Sequence, residues 1–223
     1  MKKIRLLLFL LVLCPVSYLY SQNFEGWILY KSEILNPNPG KISDEEWKEA
    51  MKEQLGERGY MLQKYHYKKG NYMSEIDAGK QSGYQTYNPE DGLLYGWQTA
   101  SDSAMTSDSR KYMDELVEIS HTDETVTVMG IDCRSIIIKS KFGSMTIWYN
   151  SDHFKMDASL FEGHKYGHWE AMLQAIGCLP LKSEMQMMGM RMVQTAIEYK
   201  ETQVDDEVFE IPEFRVITAN PFN

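Results

Sequence analysis

Cysteine is scarce in this chain: three residues in 223, at Cys14, Cys133 and Cys178. None forms a Cys-x-x-Cys pair, so a thiolate zinc site has no sequence basis. No Gly-x-Ser-x-Gly string is present, which removes the nucleophile elbow of serine hydrolases. No Gly-rich phosphate loop and no His-Glu-x-x-His pair occur either, so nucleotide and zinc-protease chemistry have no anchor. Internal repeats, low-complexity tracts and linkers are also missing. Positive charge is in short supply, with 23 Lys and Arg against 32 Asp and Glu. An acidic surface repels phosphate backbones and anionic bilayers, so nucleic acid is excluded as a partner. With no catalytic constellation in place, the chain is read as a non-enzyme without a cofactor or metal.

What is there begins at the N-terminus. Lys2, Lys3 and Arg5 precede the apolar run Leu6 to Leu13, Pro15 breaks it, and small or polar residues lead to Ser21-Gln22. That order of charge, apolar core and small-residue exit reads as a cleavable signal peptide over residues 1–21. The run is too short to remain as a membrane span. Acylation at Cys14 is the competing reading, disfavoured because Leu13 stands where a small residue is wanted and Pro15 follows. Cleavage leaves a single domain, residues 22–223, with 20 basic and 32 acidic side chains and a net charge of −12. The expected location is periplasmic or extracellular. Export leaves two cysteines in an oxidising compartment, and a Cys133–Cys178 disulfide is the expectation.

Strand signals dominate the remainder. Phe24 to Ile34 is aromatic and branched, and stops at Asn36-Pro37-Asn38-Pro39-Gly40. Ser43 and Glu46 form a capping box ahead of Trp47, Ala50, Met51 and Leu55 at helical spacing, which predicts a helix over Asp44 to Glu57. Short strands separated by turn residues follow: 60–68, 72–77, 83–87 and 93–98. Thr99 to Arg110 is polar and aperiodic, and reads as a loop. Four more strands are predicted at 115–121, 125–129, 134–141 and 144–150. Trp169, Met172, Leu173 and Ile176 mark a second helix ending at Gly177. Strands over 180–188 and 190–200 come next, and Phe209 to Pro212 closes the sheet. The sum is a mostly β fold, a curved antiparallel sheet or half-barrel of about ten strands with two short helices over its concave face.

Several strings carry a family resemblance. They are Thr127-Val-Met-Gly-Ile-Asp-Cys133-Arg, Phe142-Gly-Ser-Met-Thr-Ile-Trp148-Tyr149, and Cys178-Leu-Pro-Leu181. With Phe24-Glu-Gly-Trp-Ile-Leu-Tyr30 and Phe209-Glu-Ile-Pro212, they resemble secreted Bacteroidetes-type proteins of the GLPGLI-signature family and a related methionine-rich domain of unknown function. The full Gly-Leu-Pro-Gly-Leu-Ile string is absent. Those families resemble the LolA-like periplasmic half-barrel, which implies helices over an apolar cavity and carries no catalytic residues across.

The most informative cluster is methionine. If Met188-Gly189 is a two-residue hairpin turn, Met187 faces Met190 and Met185 faces Met192, all four on one face. Thioethers can bind Cu(I), but pliable methionines lining an apolar cavity are the preferred reading. Strand aromatics such as Trp97 and Trp148 join them as expected ligand-binding residues. His164 and His168 are four apart, but Gly163 and Gly167 argue against a helix that would present both, so they make a poor zinc pair. The chain therefore reads as an exported protein sheltering an apolar small molecule or lipid. A cell-envelope structural module with a protein partner and no ligand is the alternative.

Overall fold

A computed structural model describes residues 23–221. The signal peptide predicted over residues 1–21, and Cys14 within it, lie outside the described residues. Strands β1 (Gly26–Leu35), β2 (Met61–Lys68), β3 (Asn71–Asp77), β4 (Ser82–Asn88), β5 (Leu93–Gln98) and β6 (Ser103–Asp108) make up the first half. Strands β7 (Leu116–Val128), β8 (Ile131–Ser140), β9 (Gly143–Tyr149), β10 (Lys182–Met187), β11 (Met190–Glu201) and β12 (Val216–Ala219) complete the set. All twelve share one sheet in the order β12-β6-β5-β4-β3-β2-β1-β11-β10-β9-β8-β7, antiparallel except where β12 lies parallel to β6. The sheet stays open but curls, bringing β7 back to touch β11.

Alternation is strict in β1. In β1, Gly26, Ile28, Tyr30 and Ser32 are buried while their neighbours are partly exposed, the period of two that a strand with one covered face requires. The register carries that face onward through Tyr65 and Tyr67, Tyr72, Tyr87 and Leu94. Helix α2 (Trp169–Ile176) and the preceding 3-10 turn Ala158–Phe161 press against it, contributing Met172, Leu173, Ile176 and Phe161 to the core. Helix α1 (Asp44–Leu55) begins with the predicted capping box, Ser43 and Glu46 each bonding the other's backbone N–H. Its Met51 and Leu55 are buried outside the main core cluster. It packs instead at the end of β1, where Trp47 Nε1 donates to Ile34 O, and against the β3–β4 turn.

Three segments differ from the sequence reading. The stretch expected as a loop holds β6, because β5 offers a free edge and residues 104, 106 and 107 are small enough to bury there. The two strands expected at 115–121 and 125–129 are one, β7, bulged near Glu118 and again between Thr122 and Thr125. Bulges with Glu118, Asp123 and Glu124 protect this sheet edge from pairing with another chain. The closing strand lies at 216–219 and not at 209–212, where a 3-10 turn, Asp206–Phe209, ends.

The α1 contact depends on one glycine. Gly79 has φ +72°, and a Cβ there would stand 1.9 Å from the Leu55 carbonyl oxygen. Gly189, at φ +84°, has nothing within 4 Å of the same construction. Both alanine variants carry left-handed strain, but only Gly79→Ala must also displace backbone. Gly79→Ala is expected to cost at least ~2 kcal/mol, against about 1 for Gly189→Ala. Paired thermal melts check this, and equal losses would contradict the contact.

Candidate binding face

The covered face of the sheet divides into two regions. Over β2 to β5 it is filled by rings: Trp169 stacks on Tyr72 at 5.1 Å, and Phe161 stacks on Trp169 at 5.5 Å and on Tyr87 at 6.1 Å. His164 is fully buried in that group, with Nε2 3.0 Å from the Tyr72 hydroxyl. Burial pushes its pKa down to about 4, so it is neutral in the fold at neutral pH, and its Nδ1 has no hydrogen-bond partner among the described residues. His168 lies apart with a left-handed backbone at the start of α2, its ring beside Tyr112. The two histidines do not share a helix face.

A polar group bounds the ring-filled region. Ser32 Oγ donates to Gln63 Oε1 at 2.9 Å, and Gln194 Nε2 donates to the same oxygen at 2.6 Å and to Ser32 Oγ at 3.2 Å. Ser32 is fully buried, and this closed set satisfies it.

Beyond the polar group lies the methionine end. Met185 pairs with Met192 and Met187 with Met190, the register that the Met188-Gly189 turn predicts. Met145 of β9 also stands opposite Met185. The row then runs without a break across six strands, Ile34–Met192–Met185–Met145–Ile138–Ile119. Directly opposed residues share a face, so these side chains are contiguous. Ile138 is buried, whereas the three methionines are partly exposed. At the tips of the two hairpins, Met188 is 82% exposed, Phe142 54% and Met190 41%. Met188 N donates to Phe142 O, and the Asp114 carboxylate accepts from Phe142 N, tying three segments together at this end.

The two tryptophans expected at the site are elsewhere. Trp148 is opposite Lys182, three residues from Met185, so it lies on the other face, where the Lys182 ammonium sits 4.3 Å above its ring. Trp97 also faces away from the ring-filled side, packed between Tyr84 and Phe214, with five strands between β5 and β10. Alternation separates each from the methionines. Cys133 and Cys178 are buried free thiols here and not the expected disulfide; Cys133 Sγ donates instead to Ile131 O at 3.4 Å. Met145 was not singled out by sequence, because the β9–β10 pairing that delivers it spans a long connection.

Two open clefts are found among the described residues, the first adjoining the Ile34 end of the row. One of about 660 Å³ separates α1 from β1, with Trp47 and Tyr60 among its walls. Another of about 760 Å³ surrounds Arg134, which lies over the Tyr149 ring and donates to Ser151 Oγ.

No family model and no curated protein matches this chain. Among solved structures, it is similar to PNGF-II in two crystal forms. In space group P21 the TM-score is 0.46 at 13% identity, and in C2 it is 0.47 at 12%, over 88% of this chain in each case. The chain spans about a third of PNGF-II, 32% and 31% of the two chains. It is also similar to an uncharacterized conserved protein from Thermus thermophilus, with TM-score 0.46 and 9% identity over 88% of this chain and 91% of that one.

Proposed function

We propose that this chain is an exported binding protein that holds an apolar guest, a lipid or acyl chain, at the methionine-lined end of its concave face. The observation that carries the reading is the unbroken apolar row from Ile34 to Ile119 with its partly exposed methionines. Thioether side chains are flexible enough to repack around guests of different shape. Each methylene removed from water contributes about 0.8 kcal/mol, so a chain of several carbons suffices for useful affinity. The basic n-region and apolar run support export to the periplasm or beyond, and the resemblance to LolA-like half-barrels supports an apolar guest. The site differs from the enclosed cavity expected from sequence, because rings fill the space beneath α2.

That filled interior favours a second reading, an envelope module that binds a protein partner and no ligand. Native mass spectrometry of the protein extracted from its host, with titration by a fluorescent fatty acid, separates the two. The binding reading expects co-purified lipid and saturable uptake, reduced at least tenfold by Met185→Asp with Met192→Asp. Absence of both lipid and uptake from the folded wild-type protein leaves the envelope-module reading in its place.

A further inference from the structure

The methionine row has a chemistry that apolar contact does not use. Met185 stands directly opposite Met192 on one side and Met145 on the other, with opposed Cβ atoms about 4.5–5.5 Å apart. Three rotatable bonds on each side chain let the three sulfur atoms turn toward one point above Met185. Met187 and Met190, one row nearer the hairpin tip, add two more thioethers within a side chain's reach. No cation stands in the row: Arg191, the nearest in sequence, is paired with Glu184 at 3.3 Å on the opposite face. Soft thioethers select Cu(I), whereas calcium and magnesium require oxygen ligands and zinc prefers nitrogen or thiolate.

We propose that Met145, Met185 and Met192 form a three-thioether site for a soft monovalent ion, Cu(I), with Met187 and Met190 as neighbouring ligands along an entry path. The site rests on the strand register and not on the apolar-guest reading. The two cysteines are poor competitors: both are buried, and burial pushes Cys178 up to about 12, keeping it a thiol.

The test uses the purified, guest-free protein under anaerobic conditions, titrated with Cu(I) against a chromophoric chelator and separately with Ag(I) as a redox-inert stand-in. One ion per chain is expected, with the methyl resonances of Met145, Met185 and Met192 shifting on Ag(I) addition. The variant M145L/M185L/M192L is expected to bind at least tenfold more weakly, with an unchanged melt because leucine conserves volume. The variant C133S/C178S is expected to bind as wild type does. Wild-type affinity in the leucine variant, loss of binding in the serine variant, or no stoichiometric uptake by the wild type would each overturn the site. Fatty-acid uptake is measured with a metal chelator present, so failure of the metal site and failure of the apolar-guest reading are told apart.

Discussion

Phe161→Ala is expected to cost about 3–5 kcal/mol, the range for deleting a buried aromatic ring. Phe161 is 0% exposed and lies where the 3-10 turn, α2 and the sheet meet. Its ring contacts Trp169, Tyr87, Tyr72 and His164 with centroids between 5.5 and 6.2 Å. Tyr72 and Tyr87 are held by β3 and β4 and Trp169 by α2, so the hole collapses only in part, and the cavity term adds to the lost transfer energy. At roughly 2–4 °C per kcal/mol for a domain of this size, the melting temperature falls by roughly 10 °C. Phe142→Ala, at an exposed hairpin tip, is expected to stay within about 0.5 kcal/mol. Urea melts of both variants check this, and a loss below about 1 kcal/mol for Phe161→Ala would contradict the packed interior.

Acid sensitivity is the second large effect, and it comes from the same cluster. Burial holds His164 down to about 4, while the unfolded chain titrates near 6.5. Above pH 6.5 neither state is protonated and the group has no effect on stability. As the pH falls from 6.5 toward 4, the unfolded state takes up a proton that the folded state refuses, and stability falls. The loss reaches about 3 kcal/mol by pH 4, at 1.36 kcal/mol per pH unit. His66 and His168 are lowered by burial as well and act with the same sign. The paired carboxylates Asp77, Asp108 and Asp206 are depressed below their usual range, so their contribution is lost at lower pH than the histidine's. His164→Gln isolates the effect: its denaturant midpoint should change less than the wild type's between pH 6.5 and 4. Parallel curves would show that His164 is not excluded from protonation.

The parts of the fold legible in sequence were those fixed by local chemistry. Ser43 with Glu46 set the start of α1, Trp169, Met172, Leu173 and Ile176 set α2, and Met188-Gly189 set the β10–β11 register. Where pairing depended on distant chain, the local pattern was silent. β6 is built from small and polar residues that become a strand only because β5 supplies a partner, and β12 in turn needs β6. The candidate site shows the same limit. Four methionines could be placed from their own hairpin, but Met145 arrives from another strand, and Trp148 and Trp97 are turned away by alternation that only the sheet register reveals. His164, weighed in sequence only as a poor zinc partner of His168, is buried because three separate segments close around it.

Whether the proposed guest is held at the methionine end of the concave face can be read residue by residue. The protein labelled with carbon-13 at its methionine methyl groups is titrated with a saturated fatty acid and followed by NMR. Saturable shifts are predicted at Met145, Met185 and Met192, with Met156 and Met172, buried in the core, left in place. Shifts confined to the core methionines, or no saturable shift at any methionine, would contradict the account.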